Sequence, residues 1–163
     1  MKNKTLKGVL PAGIIILMFA CNAKKEEPAE VVVDKEQIKK EIQAKEDEFA
    51  AVYNSKELKN IGYYADDATV FAQNREPLLG KEKIIAYLQE GITSSPEGNN
   101  ISFVTNEVFV SNDGNQVVET GYFKLADSTN AIINSGSYMV LFEKRNGAYV
   151  SVREMSTSHI PLE

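Results

Sequence analysis

The side chains able to do chemistry in this chain are mostly acids, and their placement narrows what they can do. Asp66 and Asp67 are adjacent, so their carboxyls diverge, and no histidine or further acid lies near them in sequence to complete a metal site or an acid/base pair. An aspartate that caps or orders the turn into the following strand accounts for the pair. Glu119 alternates with Val117, Phe123 and Leu125, which puts an acid in an apolar row. Arg153 shares its parity with Tyr149 and Met155. Buried charges need partners, and a mutual salt bridge, a bound ligand or plain cross-strand surface pairing would each supply one. Bulges in long strands can reverse such parity. His159, near Pro161, reads as a solvated tail residue; folded back over a pocket mouth it would be a base.

Other chemistries lack their motifs. Ile133 stands where a nucleophile elbow around Ser135 needs its first glycine, and there is no phosphate loop, dinucleotide fingerprint or zinc spacing. Asn112-Asp113-Gly114-Asn115 lacks the later glutamate of a calcium loop and reads as a hairpin turn. One cysteine and one histidine exclude an internal disulfide and argue against a Cys/His metal cage. No metal or other cofactor is expected. The formal net charge is −5, and Lys2, Lys4 and Lys7 fall in a stretch without acids, so the remainder is more acidic still. Nucleic acid is therefore not an expected partner, because binding would add repulsion rather than release counterions.

The first 21 residues, MKNKTLKGVLPAGIIILMFAC, have a basic start, an apolar run from Gly8 to Ala20 and then the single cysteine. The run is too short for a bilayer-spanning helix, which takes about 20 apolar residues, and Pro11 and Gly13 interrupt it. It reads as an export signal. Leu17-Met18-Phe19-Ala20-Cys21 resembles a lipobox, which implies residues 1–20 as a lipoprotein signal peptide and Cys21 as the lipidation site and new N-terminus; ordinary signal cleavage near Ala23 is the alternative. Residues 21–33 form a charged tether with Pro28 and no apolar periodicity. Asn22 is not the aspartate that marks inner-membrane retention, so the expected location is the cell envelope, lipid-anchored in the outer membrane.

Residues 34–163 must supply the domain, and 163 residues in all suffice for one ordinary core. Asp34 with Gln37 forms a helix start, and Ile38, Ile42, Phe49, Val52 and Tyr53 recur at near-helical spacing up to about Asn54. A short second helix carrying Leu58, Ile61 and Tyr64, a strand over 68–72 and a third helix from Gly80 are expected next. Beyond Asn100 the period changes to two. Strands over 101–110, 116–125, 131–143 and 148–158 are separated by hairpin sequences. Helices followed by antiparallel strands give an α+β layer, with the helices on one face of a strongly curved sheet.

Tyr63-Tyr64-Ala65-Asp66-Asp67-Ala68-Thr69-Val70, followed by Leu79-Gly80-Lys81-Glu82-Lys83-Ile84, resembles the pattern of the SnoaL-like, or nuclear-transport-factor-2-like, superfamily. Gly121-Tyr122, Gly136-Ser137-Tyr138, Lys144-Arg145-Asn146-Gly147 and Tyr149 are similar to its exported branch of unknown function, itself similar to the association domain of calmodulin-dependent kinase II. The resemblance implies a cone with a pocket between helices and sheet, commonly as a homodimer. It implies no reaction. In the register of ketosteroid isomerase, the superfamily's best-known enzyme, the general base would fall at Ala72, the oxyanion tyrosine near Glu48 or Phe49, and the oxyanion acid between Tyr138 and Phe142. None of these places carries the required group, so that activity is not expected.

The ligand-binding candidates are Tyr64, Phe71, Glu119, Tyr138 and Arg153, with desolvation expected to raise the pKa of Glu119. Apolar residues on both strand faces suggest a homodimer through the outer face of the sheet, with Val118, Tyr122, Val140, Phe142, Val150 and Val152 expected there. The functional expectation is a membrane-anchored lipoprotein that binds a small amphipathic molecule or a partner without catalysis. The alternative is a SnoaL-type hydrolase, isomerase or cyclase acting on a hydrophobic organic substrate. A deep pocket holding a titratable residue of strongly shifted pKa would favour the enzyme.

Overall fold

The computed structural model describes residues 33–58 and 61–160, so the expected signal peptide, the Cys21 lipidation site and the tether up to residue 32 lie outside the described residues. The first helix, α1, runs from Lys35 to Ser55, and the Asp34 side chain accepts a hydrogen bond from the Gln37 N–H at 3.0 Å. Lys56, in the left-handed region at φ 64°, ends it. The expected short second helix falls partly on residues 59–60, outside the described residues; Leu58 and Ile61 on either side are buried, with the Ile61 N–H donating to the Leu58 carbonyl at 3.1 Å. Tyr64 already belongs to the strand β1 (Tyr64–Phe71). Two-residue β2 (Leu78–Leu79) leads through Gly80 into α2 (Lys81–Ser94).

Four long strands follow, β3 (Asn100–Val110), β4 (Gln116–Ala126), β5 (Ile132–Arg145) and β6 (Ala148–Ser158), close to the segments expected from the period-two pattern. The sheet order is β2-β1-β6-β5-β4-β3, antiparallel throughout except for the parallel pair β1 and β6. The architecture is therefore α+β, with two helices on one face of a curved, open six-stranded sheet.

The edge strand β3 would otherwise present unpaired backbone groups, and α1 covers them. Asn54 Nδ2 donates to the Ile101 carbonyl at 2.9 Å, while the Ile101 N–H donates to Asn54 Oδ1 at 2.8 Å. Gln43 repeats the device further along β3: Nε2 donates to the Phe103 carbonyl at 3.2 Å and Oε1 accepts from the Thr105 N–H at 2.8 Å. These polar residues fix the helix over the sheet. The adjoining stripe of Ile42, Glu46, Phe49 and Ala50 is thereby turned into the interior.

Two bulges decide which side chains follow it there. Leu141 pairs with Arg153 while Phe142 pairs with Ser151, so Val152 is an extra residue in β6. Ser151 and Val152 are both buried, and beyond them the parity is reversed: Glu154 faces in and Arg153 faces out. In β3 the pairing skips Asn106, between Thr105 and Glu107.

The outer face of the sheet differs from the expectation in its membership. Val140, Phe142 and Val152 are buried in the core, in the first two cases because they lie opposite Glu119 and Val117 on the inner face. Tyr122 is exposed on the outer side as expected, and the other exposed apolar residues there include Val104, Phe109, Met139 and Met155. Phe71, Met155 and Met139 stand in register across β1, β6 and β5.

Candidate functional site

Between the helices and the inner sheet face lies a cavity of about 170 Å³. Its wall is aromatic, and its polar side chains are two glutamates and five tyrosines, with Ser156 beside them. Phe49 is the centre of the wall, with ring centroids 4.9 Å from Tyr63 and 5.4 Å from Phe103. The half-buried Tyr53, Tyr87 and Leu88 line its more exposed side.

Three acids are each paired with a tyrosine. Tyr63 donates a short hydrogen bond to Glu46 Oε1. Tyr64 donates to Glu154 Oε2 at 2.8 Å, and Tyr138 donates to Glu119 Oε1 at 2.9 Å, an oxygen that also accepts from the Thr105 hydroxyl at 2.6 Å. Glu46 and Glu154 line the cavity; Glu119, fully buried, lies behind the wall, bonded to the lining residue Tyr138. Its second oxygen, Oε2, is buried without a hydrogen-bond partner.

Tyr138 reaches Glu119 because Gly121 has no side chain. The two residues are directly opposite on β5 and β4, and a Cβ at Gly121 would collide with the Tyr138 ring. Phe123 lies over Gly136 in the next pair by the same device. Of the glycines and aromatics singled out in the sequence, Gly121 and Gly136 thus make room for the rings of Tyr138 and Phe123, whereas Tyr122 is exposed on the outer face.

No lysine, arginine or histidine among the described residues lines this cavity, and the acids respond accordingly. Burial pushes Glu46 up to about 10, reinforced by the nearby charges of Glu119 and Glu154 and opposed by the Tyr63 hydrogen bond. Glu154 is pushed up to about 7, mainly by burial, with Tyr64 opposing. Burial also raises Glu119, against the hydrogen bonds from Thr105 and Tyr138. Near neutral pH, Glu46 therefore carries a proton. The neighbouring Glu119 raises Glu46 further, while Glu46 works against the rise at Glu119.

The sequence candidates divide. Tyr64 and Tyr138 line the cavity, and Glu119 stands behind it, bonded to Tyr138. Phe71 and Arg153 are not brought in. Phe71 is exposed at the end of β1, one position out of phase with buried Val70. Arg153 is turned out by the β6 bulge; it donates to the backbone carbonyl of Asp67 at 3.3 Å and also to that of Val152. A salt bridge between Glu119 and Arg153 does not form.

Asp67 is engaged on the surface by Arg145, whose Nη2 donates to Oδ2 at 3.1 Å, so the Asp66-Asp67 pair builds no acid/base site. Asp113 orders the hairpin turn expected there, accepting from Ser111 Oγ at 2.6 Å and the Asn115 N–H at 3.0 Å. His159 is exposed and lies 2.9 Å from Ser137 Oγ, outside the cavity lining.

Glu46 and Glu154 are functional candidates that the sequence reading did not identify. Glu46 had a signal: Ile42, Glu46, Phe49 and Tyr53 fall at successive helical intervals of four, three and four, on the stripe that must be buried. Glu154 had none, because strand parity assigns its place to Arg153 until the bulge is known.

No family model matches the chain and no curated protein matches it. Solved structures do. A scytalone-dehydratase-like protein from Novosphingobium aromaticivorans is 14% identical, with a TM-score of 0.66 over 79% of this chain and 89% of that one. A calcium/calmodulin-dependent protein kinase II association-domain protein from Xanthomonas campestris is 20% identical, with a TM-score of 0.59 over 75% and 88%. A ketosteroid-isomerase-like protein from Erwinia carotovora is 17% identical, with a TM-score of 0.56 over 75% and 96%. The chain has the cystatin-like, nuclear-transport-factor-2-like α+β fold. At these identities the likeness is one of fold.

Proposed function

We propose that the protein is a lipid-anchored envelope protein, attached to the outer membrane through Cys21, whose cavity reversibly binds a small amphipathic molecule without transforming it. The observation that carries this reading is the aromatic cavity with tyrosine-held carboxyls between α1, β1 and the inner sheet face. Such a wall offers apolar area together with fixed polar groups, the usual composition of a ligand site. A volume of about 170 Å³ suits a molecule of about one ring, since an apolar cavity of about 150 Å³ accepts benzene. Ala72 lines the cavity and has no group to act as the base of a ketosteroid isomerase. Native mass spectrometry of protein taken from its own envelope tests the reading: a co-purifying small molecule is expected, and an empty protein that shifts its melting temperature with no one-ring amphipath refutes it.

A second copy is proposed to cover the outer face, where Phe71, Met155 and Met139 form an exposed apolar row in register.

One observation favours a SnoaL-type enzyme as a second reading. Glu154 faces the cavity with its carboxyl held up at about 7, the range in which a general acid or base works best near neutral pH. Under that reading Glu154 moves a proton on a hydrophobic organic substrate. Turnover of such a compound by the wild type, lost in Glu154→Gln with binding retained, would establish it.

A further inference from the structure

Buried acids normally face arginine, lysine or a metal. Here two carboxyls line an aromatic cavity and a third lies behind the wall, with no basic side chain among the described lining residues. Arg75 has its guanidinium carbon 4.3 Å from the centroid of the Tyr87 ring, but it is exposed and does not line the cavity. Oε2 of Glu119 is buried and unpartnered. The only side-chain charge that the described lining can develop near neutral pH is therefore negative, on Glu154, and the groups around it are aromatic.

We infer that the ligand is a small organic cation, an ammonium group on a molecule of about one ring, held by the carboxyls of Glu46 and Glu154 and by the faces of the surrounding tyrosine and phenylalanine rings. This rests on the ligand-binding reading and names its chemical class. An ammonium supplies the donors that the carboxyl oxygens lack, and aromatic faces attract it through their quadrupoles. A metal ion fits less well, because no group of three acids, histidines or cysteines among the described residues is placed to hold one. An anion would meet only carboxyls and tyrosines.

Charge compensation also couples binding to protons. The groups facing Glu154 are Tyr64 from β1, Glu46 from α1 and Glu119 from β4, with Tyr138 of β5 and Tyr87 of α2 on the same cavity wall. None is a cation, so a bound ammonium is the charge that lowers the pKa of Glu154 and expels its proton. With Glu154 at about 7, its ionised fraction climbs from about a tenth at pH 6 to about nine tenths at pH 8. Ammonium affinity should rise about tenfold over that interval.

Titration calorimetry of the whole protein with benzylamine, benzyl alcohol and benzoate tests the inference, because the three are of similar size and differ in charge. Benzylammonium is expected to bind at least about tenfold more tightly than benzyl alcohol at pH 8, with benzoate failing to bind. Repeating the titration in buffers of different ionisation enthalpy should show proton release near pH 7. Glu154→Gln should lose the preference for the amine while still binding benzyl alcohol. If benzyl alcohol binds as well as the amine, the cation inference is overturned and the binding reading stands. If none of the three binds, both fall.

Discussion

Glu46 gives the sharpest test of whether the buried acids are protonated as the geometry requires. Its carboxyl ordinarily titrates at 4.5 and is pushed up to about 10 in the folded protein. Between those values the folded state keeps a proton that the unfolded state has released, so folding takes up a proton and stability falls as pH rises. Each pH unit in that window costs at most about 1.4 kcal/mol from this one group, or about 3 kcal/mol by pH 7. Glu46→Gln removes the titration while keeping the shape, because the amide oxygen still accepts from Tyr63. Urea unfolding of the wild type and the variant from pH 5 to pH 8 measures the difference. The variant should be near-equal at pH 5 and progressively the more stable above it. Glu154 and Glu119 are also raised, but both are present in each protein and largely cancel. The exposed Asp67 and Asp113, which are lowered, titrate below the window. A stability difference that stays constant with pH would refute a protonated Glu46.

Gly121→Ala should force the Tyr138 ring off β4 and break its bond to Glu119, costing about 1 to 3 kcal/mol of overpacking, measurable by chemical denaturation. Met139→Glu, on the exposed row of the outer face, should convert a dimer into a monomer in sedimentation at micromolar concentration; a monomeric wild type would defeat the proposed pairing. Cys21→Ser should release the protein from the membrane fraction and abolish lipid labelling, and a wild type that is already soluble would remove the anchor.

Hydrophobic period made the fold legible. The switch near Asn100 from helical spacing to alternation places the four long strands within two residues of their observed ends, since hairpin turns fix where each must stop. The site was legible only where local pattern and three-dimensional direction coincide. Glu119 was found because β4 alternates without interruption from Val117 to Gly121. Arg153 was misplaced because Val152 adds one residue to β6, and a single inserted residue exchanges the faces of everything beyond it. A bulge leaves no reliable mark in one sequence: Ser151-Val152-Arg153-Glu154 alternates as well with it as without it. Tyr64, which keeps helical spacing with Ile61, is the first residue of β1 instead, so the spacing alone did not mark where the strand begins.

The placement of the acids also bears on why the cavity exists. A core selected for stability alone would fill the space between α1 and the sheet with leucine or methionine, because buried ionisable groups without countercharges are often improved upon by apolar residues of equal volume. This chain instead commits three carboxyls to the interior and supplies each with a tyrosine donor from a different element pairing: Tyr63 after α1, Tyr64 on β1, and Tyr138 across β4. Tyrosine satisfies one oxygen of a carboxyl and leaves its charge uncompensated, whereas arginine or lysine would have neutralised it. Hydrogen bonding from neutral donors therefore holds the acids in position while leaving the cavity electrostatically unbalanced. The imbalance has a direct thermodynamic meaning: a cation entering the cavity gains the attraction that no side chain there supplies, and protons occupy the acids in its absence.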